Sequence, residues 1–211
     1  MNFALFIKRY LKQNRPGKMS ENKLKKIVVI GPESTGKSTL CELLATHYKT
    51  MWVKEYAREY LLTNGKEYRY EDLFTIACGQ LNAEDTVTES ATEEGRSVVL
   101  VDTDMYVMKV WSEFVFGKCD NRILDFIAER KYELYLLCNV DLPWEKDELR
   151  EYPDLDTRKK LYDHYKDIMV NQHVPWIDIS GQYDERLQKA IHAIDKILHL
   201  KPAPFSEHSQ H

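Results

Sequence analysis

A short segment near the start of the chain has the residue types and spacing of a loop that binds phosphate groups. It reads GPESTGKST from Gly31 to Thr39 and fits the pattern G-x-x-x-x-G-K-[ST]. In such a loop the glycines let the backbone wrap closely around a polyphosphate, with its N–H groups pointing inward. Lys37 would reach the β- and γ-phosphates, and Ser38 would ligate Mg²⁺. The predicted cofactor-binding residues for ATP are Gly31, Glu33, Ser34, Thr35, Gly36, Lys37, Ser38 and Thr39.

ATP chemistry also needs a carboxylate, and the chain has one at the end of a run of apolar residues. Asp102 follows Val98-Val99-Leu100-Val101, and a carboxylate placed there holds the Mg²⁺ shell, directly or through water. The same spacing also fits an aspartate that caps a helix. Two residues later, Asp104 could either cap the following helix or touch metal or substrate. We therefore predict Ser38 and Asp102 as metal ligands and Lys37 and Asp102 as catalytic residues.

The segment Val53-Lys54-Glu55-Tyr56-Ala57-Arg58 could serve the molecule that accepts the phosphoryl group. Transfer to an alcohol needs a carboxylate near the attacking hydroxyl, and Glu55 is the candidate for it. Arg58, one helical turn further on, could hold the acceptor or a phosphate. The alternative is an exposed helix face on which Glu55 and Arg58 only meet solvent.

A segment dense in charge and bounded by prolines, residues 141–158, is typical of a lid. Phosphotransferases close such a flap to exclude water, which would otherwise accept the phosphoryl group. Its two arginines, Arg150 and Arg158, are candidate catalytic residues that would stabilise charge on the moving group. For each of them an ordinary surface salt bridge is the competing interpretation. Trp144 in the same segment would pack against a base or at the lid hinge.

The elements that must position these residues follow from the pattern of apolar runs. Runs that are apolar at nearly every position, alternating with helical patterns, indicate parallel strands covered on both faces. The predicted strands are Lys26 to Ile30, Met51 to Lys54, Ser97 to Asp102, Glu133 to Cys138 and Pro175 to Ile179. The carboxyl ends of such strands meet at one edge of a sheet, so we expect the phosphate loop, Glu55, Asp102 and Asn139 to share a cleft.

Two helices stand out in the same pattern. Residues 71–94 predict a long helix, in which Gln80 lies within the apolar stripe as a satisfied interior amide or as a ligand contact. Residues 183–198 predict a final helix of architectural character. The predicted fold class is α/β, a three-layer P-loop NTPase with a mostly parallel sheet of about five strands, flanking helices and a lid.

Size and composition limit the domains and the partners. The 211 residues, 43% apolar and 30% charged, suit one α/β domain, predicted at residues 25–200, between a loosely docked arm (1–24) and a disordered tail (201–211). A net charge of −4 and the absence of a long Lys/Arg block argue against nucleic acid as a partner. The four scattered cysteines predict reduced thiols in a cytoplasmic protein, and neither a signal peptide nor a membrane segment is indicated. The oligomeric state is left open, a homo-oligomer included.

Aromatic side chains gather on the predicted acceptor side, among them Tyr56, Tyr68, Trp111 and Phe114. Most would belong to the core. An acceptor with a flat, cationic ring would nevertheless gain about 0.5 to 2 kcal/mol from an aromatic face. The predicted substrate-binding residues are Glu55, Tyr56, Arg58, Gln80, Asp104 and Trp111.

Taken in order along the chain, the segments GPESTGKST, EYAR, IACGQ, DTD and DLPW resemble the ribosylnicotinamide kinase domain of the bacterial NadR family. The resemblance runs from about residue 25 to residue 181 and covers only a stand-alone kinase domain. It implies transfer of the γ-phosphoryl of ATP to the 5′-hydroxyl of nicotinamide riboside, with Mg²⁺, giving nicotinamide mononucleotide for NAD salvage. Two alternatives stay open: a kinase for another nucleoside, and a regulatory module that senses ATP or NAD without transferring phosphate.

Overall fold

The computed structural model describes residues 23–199, which form one parallel sheet between layers of helices. The strands are β1 (Lys25–Ile30), β2 (Trp52–Val53), β3 (Val98–Asp102), β4 (Leu134–Cys138) and β5 (Trp176–Ile179). The helices are α1 (Lys37–Tyr48), α2 (Tyr56–Asn64), α3 (Tyr70–Glu93), α4 (Met105–Phe116), α5 (Asn121–Glu129), α6 (Leu155–Asn171) and α7 (Tyr183–Leu198). The strand order is β2-β3-β1-β4-β5, and every pairing is parallel. The predicted fold class is confirmed.

Both faces of the sheet are buried, which explains the apolar runs in the sequence. Successive side chains of a strand point to opposite faces, so Val28 and Ile30 of β1 enter one cluster while Ile27 and Val29 enter another. The first cluster packs under α4 and α6, and the second packs under α1 and α7. A third cluster joins α2, α3, α4 and α5 beside the sheet. The loops that carry the predicted site residues therefore extend from a sheet that is well packed on both faces.

Some boundaries differ from those predicted. β2 is an edge strand of two residues that pairs with β3 through Trp52 and Val53, and the carbonyl of Met51 accepts one further backbone hydrogen bond from Leu100 of β3. Helix α3 begins at Tyr70 and ends at Glu93, one residue earlier at each end than expected, whereas α7 has the expected bounds. Helix α6 begins at Leu155, so Arg158 lies in its first turn rather than in an irregular lid. The predicted arm and tail lie outside the described residues, apart from residues 23 and 24.

Two simpler expectations concern the thiols and the membrane. Cys41 and Cys138 are buried free thiols, and Cys78 and Cys119 are partly buried free thiols. None of the helices in residues 23–199 has the length and apolar character that a membrane span requires.

Candidate active site

A cleft of about 820 Å³ opens at the carboxyl ends of β1, β2 and β3. It lies where ligands bind in open parallel sheets, because the loops that leave the strands there diverge. The predicted site residues that line it are Gly31, Glu33, Ser34, Thr35, Gly36, Lys37, Ser38, Thr39, Glu55, Arg58, Asp102, Trp111 and Arg150. Four others, Tyr56, Gln80, Asp104 and Arg158, do not line it, and Asn139 donates a side-chain hydrogen bond to Asp178.

The phosphate loop connects β1 to α1 in a tight turn that needs its glycines. At Gly31, φ is +139°, and a Cβ there would lie 2.6 Å from the carbonyl oxygen of Cys138. Gly36, at φ +76°, is the N-cap of α1, whose positive end faces the cleft. The Lys37 ammonium donates a hydrogen bond of 2.9 Å to the Pro32 carbonyl, across the loop. The loop can therefore hold this tight turn against β4 only with a glycine at position 31, and the turn suits a polyphosphate.

Ser38 and Asp102 form the candidate metal site. The Ser38 hydroxyl donates a hydrogen bond of 2.6 Å to Oδ2 of Asp102, while Oδ1 of the same carboxylate is buried without a hydrogen-bond partner among the described residues. Burial, reinforced by the negative charge of Glu55, raises the pKa of Asp102 to about 7, although Lys37 opposes the shift. An oxygen donor set with an unpartnered buried atom fits Mg²⁺, which would take its other ligands from phosphate and water.

Asp104 caps helix α4 from a buried position. Its carboxylate accepts hydrogen bonds from the backbone N–H groups of Tyr106 (3.0 Å) and Val107 (3.4 Å), and from the Tyr135 hydroxyl (2.8 Å). Burial raises its pKa to about 7, and these three donors oppose the shift. Thr103, between the two aspartates, has φ +76°, a strained value for a β-branched residue. Contact of Asp104 with a substrate stays a prediction.

Gln80 joins the Glu55 segment to the end of β3. The side chain is 1% exposed; its oxygen accepts from the Tyr56 N–H at 2.7 Å, and its amide donates to the Asp102 carbonyl at 3.2 Å. The neighbouring Gly79 lets the ring of Tyr56 lie against α3, since a Cβ there would come within 2.0 Å of a ring carbon. Gln80 therefore links the backbone next to Glu55 to the backbone of Asp102, and its role in ligand contact stays a prediction.

Glu55 and Arg58 lie on the wall opposite the phosphate loop. Glu55 is the N-cap of α2, and its negative charge helps to raise the pKa of Asp102. The Arg58 guanidinium binds the Asp147 carboxylate with two hydrogen bonds, of 3.0 and 2.8 Å. This pair lowers the pKa of Asp147 to about 2. Arg58 thus meets the predicted lid rather than solvent alone. Trp111 and Phe114 of α4 add an aromatic face to the same wall.

The two candidate catalytic arginines have different surroundings. Arg158 is 2% exposed and donates to the Ser34 carbonyl at 2.9 Å, and its Nε has no hydrogen-bond partner within residues 23–199. Burial lowers its pKa. Arg150 lines the cleft and donates to the Glu145 carbonyl. Trp144 lies between them, its ring centre 6.0 Å from the guanidinium of Arg150 and 5.5 Å from that of Arg158. Both cations stand beside the phosphate loop.

Arg186 was missed by the sequence reasoning, which treated α7 as architectural. Its guanidinium is 3% exposed and donates to the carbonyls of Gly181 (2.8 Å), Thr35 (2.9 Å) and Asn139 (3.0 Å), and to the carboxylate of Asp141. It therefore ties the phosphate loop to the ends of β4 and β5. The available signal was its position four residues before Ala190, on the buried face of α7.

Comparisons with known proteins agree with this geometry. A family model described as an AAA domain matches residues 26–186. The trifunctional NAD biosynthesis/regulator protein NadR of Escherichia coli (strain K12) is 24% identical over 177 residues, which are 82% of this chain and 42% of the relative. NadR of Salmonella typhimurium matches with the same identity and coverage. The chain spans about two fifths of the length of the curated relatives it matches.

Solved structures show the same fold. A crystal structure of NadR protein in complex with NR superposes with a TM-score of 0.71 at 23% identity, over 86% of this chain and 52% of that one. Thymidylate kinase from Ehrlichia chaffeensis superposes with a TM-score of 0.61 at 13% identity, over 81% and 98% of the two chains. The resemblance to the NadR kinase domain inferred from the sequence motifs is confirmed.

Proposed function

Because the chain belongs to the AAA domain family, we propose that it uses ATP and Mg²⁺ to phosphorylate the 5′-hydroxyl of nicotinamide riboside, giving nicotinamide mononucleotide. The observation that carries this proposal is the pairing of two walls in one cleft. The phosphate loop and Asp102 form one wall, and Glu55, Trp111 and Phe114 form the other. NadR, one of its relatives, has been solved with NR and with NAD and AMP-PNP, which supports ligands of this class.

The first wall binds and orients the triphosphate. Backbone N–H groups of the loop and the positive end of α1 would hold the phosphate oxygens, and Lys37 would leave the Pro32 carbonyl to bind the γ-phosphate. Bound Mg²⁺ would neutralise charge on the phosphates and be held by Ser38 and Asp102. Arg150 can approach the same group from the lid side, because it lines the cleft without a carboxylate partner among the interactions described.

The second wall orients the acceptor. Glu55 would accept a hydrogen bond from the attacking hydroxyl and take its proton late in the transfer. Trp111 and Phe114 offer the flat surface that a pyridinium ring would pack against. Glu59 and Glu151 also line the cleft, and their carboxylates, with that of Glu55, would attract a cationic ring, whereas Asp147 is paired with Arg58 and Lys54 adds one positive charge. Adenosine and uridine lack the positive charge of such a ring.

Release of ADP, measured against a panel of acceptors, tests this proposal. We expect turnover with nicotinamide riboside, weaker turnover with its acid analogue, and little with adenosine or uridine. Turnover with adenosine or uridine but not with nicotinamide riboside would instead identify a kinase for another nucleoside. Tight ATP binding without transfer to any of these molecules would favour the regulatory module.

A further inference from the structure

Two consecutive residues of the lid, here defined as residues 141–154, contact the phosphate loop. The backbone N–H of Glu151 donates a hydrogen bond of 3.0 Å to Oε2 of Glu33, and the backbone N–H of Tyr152 donates to Oε1. One carboxylate thus receives two adjacent lid amides. Ser34 adds a third link, since its hydroxyl accepts from the Glu145 N–H at 3.0 Å. Glu33, predicted to bind the nucleotide, therefore faces the lid backbone.

The same two lid residues also contact the aromatic wall on the acceptor side. The indole N–H of Trp111 donates to the Tyr68 hydroxyl at 2.9 Å, and that hydroxyl donates to the Glu151 carboxylate at 3.2 Å. The rings of Tyr68 and Trp111 meet at 4.8 Å between centres. The ring of Tyr152 packs edge-on against Phe114 at 5.2 Å. Each lid residue thus has its main chain on Glu33 and its side chain on the acceptor wall.

Tyr68 is suited to this link by its hydroxyl, which can accept one hydrogen bond and donate another at the same time. A phenylalanine would keep the ring contact with Trp111 but lose both hydrogen bonds. Glu151 is exposed, so its side chain is not needed to fill a core. The rings of Tyr68 and Tyr152 also pack against the core, so the Tyr68–Glu151 hydrogen bond is the part of these contacts that serves the position of the lid alone.

We propose that Tyr68 and Glu33 are positioning residues that hold lid residues Glu151 and Tyr152 across the cleft, so that an acceptor ring on Trp111 and Phe114 fixes the lid over the phosphate loop and excludes water. The inference rests on the proposed function, because it needs an aromatic acceptor at that wall. It adds a coupling between the acceptor side of the cleft and the phosphate loop. The acceptor orders the aromatic wall, and the wall orders residues 151 and 152. These two residues then cover the phosphate loop.

The coupling decides which oxygen receives the phosphoryl group. In transfer, the bond from the γ-phosphorus to the bridging oxygen breaks, a bond to the acceptor oxygen forms, ADP leaves, and the hydroxyl proton passes to Glu55. In hydrolysis, water supplies the oxygen instead, and the products are ADP, inorganic phosphate and a proton. A lid that is poorly held admits water, so the loss of coupling appears as ADP formed without phosphorylated acceptor.

Three variants separate the links. Tyr68→Phe and Glu151→Ala each cut the hydrogen-bonded part of the acceptor-side link and keep the ring contact of Tyr152 with Phe114 and the backbone hydrogen bonds to Glu33, whereas Glu33→Ala cuts the phosphate-side link. For the first two we expect the KM for the acceptor to rise about three- to tenfold, as loss of the Tyr68–Glu151 hydrogen bond, which both variants lack, implies, while the KM for ATP stays unchanged. All three should raise the ratio of ADP to phosphorylated acceptor above that of the wild type.

Tyr60→Phe is the matched control, because the Tyr60 hydroxyl donates a hydrogen bond of 3.0 Å to Asp72 and so joins α2 to α3 rather than to the lid. It should keep the wild-type ratio and KM values. An unchanged ratio in Tyr68→Phe and Glu151→Ala, both folded by thermal melting, would overturn the inference. If the wild type phosphorylates no acceptor of the panel, the proposed function itself fails, and the inference fails with it; the two results are distinguished by the wild-type assay.

Discussion

The hydroxyl of Ser38 lies 2.6 Å from the carboxylate of Asp102, although the two residues are 64 positions apart in the chain. The hydrogen bond joins the first turn of α1 to the carboxyl end of β3. Strand β3 pairs with β1, the strand that leads into the phosphate loop. The nucleotide side of the cleft is therefore held together by contacts within the protein itself.

Lys37→Ala and Asp102→Asn should lower turnover far more than they lower the free energy of unfolding. Both residues act on charge in the reacting complex, where removal of one such group costs about 10²- to 10³-fold in kcat. Turnover and thermal melting, measured on the same preparations, check this. If melting temperature and activity fall in parallel, both side chains are structural.

The metal-free protein should lose stability as the pH rises from about 4 to about 7. The folded protein keeps a proton on Asp102 up to about pH 7, whereas an unfolded aspartate loses it near pH 4. The folded state therefore binds more protons in this window, and stability falls as they leave. Thermal melting in the presence of a chelator, carried out at several pH values in this window, measures the loss of stability.

Asp102→Asn is the comparison for this pH profile. With no ionisable group at position 102, the variant should lose much of the decline, although Asp104 still contributes because its pKa is also raised to about 7. A decline of the same size in both proteins would assign the effect to groups other than Asp102.

Gly79→Ala should destabilise the protein, contrary to helix propensity, which favours alanine by about 1 kcal/mol. The added Cβ would lie 2.0 Å from the ring of Tyr56, and the ring cannot withdraw without pulling α2 away from α3. Overpacking of this kind costs about 1 to 3 kcal/mol. Denaturant unfolding should show a net loss.

The neighbouring helical position provides the control for that variant. Cys78→Ala adds no atoms to the same turn of α3 and should change stability little. Unfolding of Gly79→Ala at a higher denaturant concentration than the wild type would show that the ring of Tyr56 moves freely.

Arg186→Lys should weaken ATP binding even though it keeps the charge. The planar guanidinium donates to three carbonyls and a carboxylate at once, and a lysine ammonium on a flexible stem cannot reproduce that fork. The carbonyl of Thr35 would lose its partner, and the phosphate loop would be less well ordered. Calorimetric titration with ATP and Mg²⁺ measures the change.

Arg122→Lys is a suitable control for Arg186→Lys, since Arg122 pairs with Asp120 at an exposed position. It should bind ATP as the wild type does. ATP affinity of Arg186→Lys equal to that of the control would show that Arg186 holds β4 and β5 without influencing the loop.

Much of the fold and of the nucleotide side could be predicted from the sequence. The phosphate loop places Gly31, Gly36, Lys37 and Ser38 close together in the chain, so their spacing in the sequence is enough to predict their role. The strands are read from apolar runs because a parallel sheet covered on both faces needs them. The carboxyl ends of β1 and β3 then bring the loop and Asp102 together.

The acceptor side and the lid could not be derived in this way. The bond from Tyr68 to Glu151 spans 83 residues and that from Arg186 to Thr35 spans 151, and no local periodicity marks either pair. Gln80 was recognised as a polar residue in an apolar stripe, but its two partners depend on how α3 packs against β3 and the start of α2.

The amino-acid sequence by itself determined the phosphate loop, the parallel sheet and the edge of that sheet where chemistry takes place. Each of these follows from residue types at short spacing, because backbone geometry and the burial of strand faces act locally. Tertiary structure alone decided that Glu33 faces the lid, that Arg186 holds the loop and that Tyr68 links Trp111 to Glu151. Such contacts depend on the packing angles of whole helices, which distant parts of the chain set jointly.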